Sequence, residues 1–76
     1  MTVCIEKLCE GEHEEYVFGT AVSSVTEGRR ILQREKESVK RYGEIIEEGV
    51  NHFVYENFCG LKYTYRIVKY FSKEPI

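Results

Sequence analysis

The stretch Ser24–Gly49 constrains the fold most, because it carries an amphipathic pattern with start and stop signals between segments that read as strands. Ser24 followed by Glu27 fits a capping box, in which hydroxyl and carboxylate satisfy backbone amides that the first turn leaves unpaired. At about 100° per residue, Val25, Ile31, Leu32, Val39, Tyr42 and Ile46 fall on one broad apolar stripe, with Ile45 at its edge. Gly49 supplies the stop, since glycine takes the left-handed conformation that ends many helices. Gly28 and Gly43 weaken the pattern by about 1 kcal/mol each relative to alanine. Gly28 reads as close packing and Gly43 as a kink.

One residue interrupts the stripe. Glu35 falls between Leu32 and Val39, where a carboxylate must be paired, protonated, or placed where the helix leaves the core. A satisfied or overhanging glutamate is the plainest reading. A contact residue at a dimer seam or partner site is the sharper one. Catalysis ranks last, because no second acid or nucleophile is tied to Glu35 by spacing.

The flanks of this segment change period. Residues 2–9 alternate, residues 10–15 (EGEHEE) read as an acidic turn, and residues 16–22 (YVFGTAV) are rich in β-formers, with Gly19 marking a bulge or a close backbone approach. His52–Phe58 and Leu61–Phe71 are dense in tyrosine, phenylalanine and valine around a turn at Cys59–Gly60. Leu61, Tyr63, Tyr65 and Ile67 share one strand face and Lys62, Thr64 and Arg66 the other, with a slip near Val68 that signals a bulge or an edge. The expected architecture is α+β, ββαββ: a four-stranded antiparallel sheet of two hairpins with one long helix across one face. Residues 1–76 read as one domain, with 72–76 as a loose tail.

Length then sharpens the picture. A helix of about 25 residues spans about 37 Å, whereas a seven-residue strand spans about 23 Å. Such a helix must overhang the sheet, kink at Gly43, or lie against a second copy, which favours a homodimer. A chain of 76 residues gains only a few kcal/mol from a single core, and pairing would add to that. No apolar run approaches the length of a membrane span, and the N-terminus lacks a secretory pattern, so a cytoplasmic protein without a membrane partner is expected. Cys4, Cys9 and Cys59 show no CxxC spacing, and a zinc site with His13 would need Cys4 and Cys9 on one side of a strand that separates them. Small buried thiols are expected, with no metal and no cofactor.

Charge is arranged in blocks beneath a net charge of −2. Glutamates dominate residues 1–28, cations dominate the middle of the amphipathic segment, and residues 44–56 turn acidic again. Arg30, Arg34 and Arg41 read as one flank of the stripe, and Arg29, Lys36 and Lys40 as the other. Cations beside an apolar stripe often only cover it with their methylene stems, and Glu37 with Arg41 makes a favourable i,i+4 pair.

Three functions compete. The first is a non-catalytic protein-binding module, for which segregated charge provides steering; its contact residues are Arg30, Arg34 and Arg41, the acidic-turn residues Glu12, Glu14 and Glu15, and Glu35. The second is nucleic-acid binding through Arg29, Lys36, Lys40 and Arg66, with Tyr63, Tyr65 and Tyr70 as stacking platforms. It ranks below the first, because the chain is acidic where nucleic-acid binders usually have a pI above about 9. An enzyme ranks third: no Ser/His/Asp or Cys/His spacing, glycine-rich phosphate loop or placed carboxylate pair is present, and His13 and His52 read as a loop residue and a structural strand residue. In size, strand–helix order and charge blocks the chain resembles the inhibitors that phages and mobile elements direct against host defence complexes, anti-CRISPR proteins among them. That resemblance implies docking onto a protein or ribonucleoprotein complex and blocking it.

Overall fold

In the computed structural model, which describes residues 3–10, 14–69 and 74–76 and leaves the side chains of 14–19 undescribed, the order is ββαβββ. The strands are β1 (Val3–Glu10), β2 (Glu14–Val22), β3 (Gly43–Glu48), β4 (His52–Asn57) and β5 (Lys62–Lys69), and the helix is α1 (Val25–Val39). They form one antiparallel sheet in the order β2-β1-β5-β4-β3. The fold class is α+β with one helix on an antiparallel sheet, but the sheet has five strands rather than four.

The fifth strand comes out of the expected helix. Helix α1 starts as anticipated, with Ser24 in an extended conformation and its Oγ accepting from the Glu27 amide at 3.1 Å. The Glu27 carboxylate turns to the Ser23 amide and hydroxyl instead of closing the box on Ser24, and that bonding lowers its pKa. The helix ends at Val39, not Gly49, in two tight turns that bond Arg41 N to Ser38 O and Tyr42 N to Val39 O. Gly43 lies in β3, where a Cβ would sit 2.0 Å from Glu56 O, so it marks close approach of β3 to β4, not a kink. At 15 residues, α1 is about 22 Å long and is matched to its strands. The overhang that favoured a homodimer does not exist.

The core lies between α1 and one sheet face: Val3, Ile5, Val22, Leu32, Val39, Phe53, Tyr55, Tyr65 and Ile67 are all buried. Gly28 is buried against Ile67 and Val22, as its close-packing reading requires. Tyr42 and Ile46, expected on the apolar stripe, are exposed instead. Ile46 is the extra residue of a bulge in β3, because Ile45 pairs with Tyr55 and Glu47 with Val54.

The remaining differences follow from sheet position. β5 is the central strand, its register with β1 is regular from Lys62 to Lys69, and Ile67 and Val68 are both buried. The apparent slip near Val68 is therefore burial on both faces, not a bulge. Glu14 and Glu15 belong to β2 rather than to a turn, while Glu12 and His13, like Tyr70, lie outside the described residues. The β2 bulge falls at Val17, and Gly19 pairs in register with Glu6. Glu74–Ile76 is not loose: Lys69 N bonds Glu74 O, Ile76 N bonds Ile67 O, and Val68 bridges Pro75. No helix among the described residues is long and apolar enough to cross a membrane.

Candidate docking surface

At one end of the sheet the turn after α1 meets the β4–β5 turn. Gly43 pairs with Asn57, and one step outward the Phe58 amide donates to Tyr42 O at 3.1 Å, which makes Tyr42 and Phe58 cross-strand neighbours. The β4–β5 turn is held from within: Asn57 Oδ1 accepts from the amides of Cys59 and Leu61, each at 2.9 Å, and Gly60 takes a φ of 87°. This scaffold presents Tyr42 at 61% exposure, Phe58 at 79% and Leu61 at 40%. Folding alone gives no reason to leave two aromatic rings and a leucine in water on a fixed turn.

Sequence reasoning missed this tip because helical periodicity put Tyr42 in the core. A signal was present: Tyr42-Gly43 and Phe58-Cys59-Gly60 each place a large aromatic within two residues of a glycine.

The helix cations divide by partnership. Arg29 Nε donates to Asn51 Oδ1 at 2.8 Å, Lys36 pairs with Glu48 of β3, and Lys40 pairs with Glu37 at 3.0 Å. The Lys36 hydrogen bond holds the Glu48 carboxyl below its ordinary range. Glu37 thus serves Lys40 and Gln33 rather than Arg41. Arg30, Arg34 and Arg41 are exposed and form no ion pair among the described residues. They do not flank the stripe. Positions 30 and 34 lie about 160° from Leu32, on the outward side of the helix, and Arg41 continues past its end to Tyr42. Glu35 is half-buried above the tyrosines, and its charge, after burial, helps raise the pKa of Tyr55 and Tyr65.

The cations and tyrosines of the nucleic-acid reading are not brought together. Tyr65 is buried, stacked on Phe53 at 4.7 Å, and the half-buried Tyr63 stacks on Tyr55 at 5.1 Å, both on the helix side of the sheet. Arg66 faces the opposite side, paired at 3.1 Å with Glu6, whose side chain is only 4% exposed.

That far face holds two shallow clefts. One, of about 330 Å³, is lined by Glu10, Ile46, Glu47, Val54, Lys62 and Thr64; the other, of about 240 Å³, includes His52, Thr64, Arg66 and Ile76. His52 Nε2 is 2.9 Å from Glu47 Oε2, and no hydroxyl or thiol among the described residues hydrogen-bonds its ring. A base with an orienting carboxylate is present there without a nucleophile in contact. Cys4 is buried, Cys9 half-buried and Cys59 exposed, so only Cys4 is the small buried thiol expected of all three. No metal-binding group of His, Cys, Asp and Glu occurs among the described residues. Comparison with family models, curated proteins and solved structures returns no match.

Proposed function

We propose that this chain is a non-catalytic protein-binding module that docks through the Tyr42–Phe58–Leu61 tip. The observation that carries this reading is the combined exposure of those three side chains on turns fixed by their own hydrogen bonds. Aromatic side chains at the centre of an interface supply large contact area for little conformational entropy, and a pre-ordered scaffold lowers the cost further. The phage-inhibitor reading, in which docking blocks a defence complex, rests on size and charge blocks, since the observed element order is ββαβββ. Without the helix overhang, a homodimer rests only on the small core.

Site-specific photocrosslinking tests the reading. A benzophenone amino acid at position 58 should yield a discrete crosslinked protein in a lysate of the source organism, and the same probe replacing Val50, which is 74% exposed at the opposite end, should not. Equal crosslinking from both positions, or none from position 58, contradicts it.

A further inference from the structure

We infer that the tip's partner is an acidic protein surface: an apolar pocket for Tyr42 and Phe58 with a row of carboxylates leading away from it along the back of α1. The inference rests on the docking reading above and adds the chemistry of the partner. Four cations of this chain are paired with carboxylates: Lys36 with Glu48, Lys40 with Glu37, Arg66 with Glu6 and Lys69 with Glu74. Arg30, Arg34 and Arg41 are not, although the chain has more carboxylates than cations. Arg30 and Arg34 stand one helical turn apart on the outward side of α1, about 6 Å along the axis, and Arg41 stands where the helix hands over to Tyr42. Unpaired guanidinium groups are weakly hydrated, fork-shaped donors suited to carboxylates and phosphates alike.

The neighbouring charges decide between those two. Half-buried Glu27 and exposed Glu37 border the arginine line on either side, and exposed Glu44 follows Tyr42 and Gly43. A continuous phosphate backbone would have to pass these carboxylates, whereas a protein offers its acids at discrete points. The aromatic rings that could stack on bases are at the end of the line only. A protein partner fits this alternation better than a nucleic acid does.

The test uses the intact chain and defined probes. A peptide of alternating Asp and Leu, its Lys/Leu counterpart and a thymidine oligonucleotide are titrated at low salt while backbone amides are followed by NMR. The Asp/Leu peptide should bind about tenfold or more tightly than the Lys/Leu peptide, weaken with salt, and shift residues 30, 34, 41, 42, 58 and 61. Arg30→Gln/Arg34→Gln/Arg41→Gln should remove about tenfold of that affinity with the amide spectrum otherwise intact. No preference between the peptides, or tighter binding of the oligonucleotide to the same arginines, overturns the acidic-partner inference. If the glutamine variant binds normally while Tyr42→Ser/Phe58→Ser does not, the acidic partner falls and the docking tip stands. If only the arginines matter, both fall.

Discussion

The two ends of the sheet are built from similar parts and used differently. At one end the β3–β4 turn is tied into the rest of the chain: Asn51 accepts from Arg29 of the helix and donates to Ile76 O at 2.8 Å, its own carbonyl accepts from Ile67, and His52 pairs with Glu47. The three bonds of Asn51 all reach outside the hairpin. At the other end the β4–β5 turn closes on Asn57 and is joined to the turn after α1 by one backbone bond, Phe58 N to Tyr42 O, while Tyr42, Phe58 and Leu61 stay exposed. The first end spends its hydrogen bonds on joining segments, the second on holding a shape. A surface held in shape with its apolar side chains left exposed is what a docking site needs.

The sharpest way to break this contrast is Gly43→Ala. The added methyl would overlap Glu56 O at a strand crossing that has no flexible side chain to yield, so a loss of about 3 kcal/mol or more is expected by urea denaturation. Retained stability would show that β3 can move away from β4 and that the tip is not fixed.

Alkaline pH probes the core beneath the tip. Burial raises the pKa of Tyr65, Tyr55 and Tyr63, so these rings keep their protons in the fold while the unfolded chain loses them above its ordinary tyrosine pKa of about 10. The native state then holds more protons than the unfolded one, and stability falls as pH rises from about 10, chiefly through Tyr65, with a slope of at most about 1.4 kcal/mol per pH unit for that ring. The urea midpoint, followed with tyrosinate absorbance, should fall over that range. A flat midpoint would contradict a buried tyrosine stack.

Two asparagines separate the ends more gently. Asn51→Ala and Asn57→Ala should each cost about 1 kcal/mol. Hydrogen exchange distinguishes them: Asn51→Ala should release the amides of Lys69 and Ile76, and Asn57→Ala those of Cys59 and Leu61. Mixed release would mean that the ends are not independent.

The same sequence signals explain what was legible. Residues 24–39 read correctly because a serine cap and apolar residues at helical spacing agree, and together outweigh Gly28. Residues 40–49 misled because Tyr42, Ile45 and Ile46 fit i, i+3, i+4 as well as they fit a strand with a bulge. Only the contact between Gly43 and Glu56, distant in sequence, decides between them. The β5 alternation was legible as a two-sided strand, but its central place was not, since Val68 is covered on the far face as Ile67 is on the helix face. Arg30, Arg34 and Arg41 are exposed, but on the outward side of the helix and past its end rather than beside the apolar stripe. The aromatic tip was not named, because exposure depends on where the helix ends. Glu12 lies outside the described residues, and Glu14 and Glu15 moved from turn to strand.

The smallest effect on stability should accompany the largest effect on function. Tyr42→Ser/Phe58→Ser removes two exposed rings, so the urea midpoint should change by no more than about 0.5 kcal/mol in equivalent stability. Partner capture by this variant, measured beside wild type and Val50→Ser from the same lysate, tests the central claim directly. Docking through the tip predicts that the protein retained by wild type and by Val50→Ser is lost from the double variant while its circular dichroism is unchanged. Undiminished capture by the double variant would contradict it.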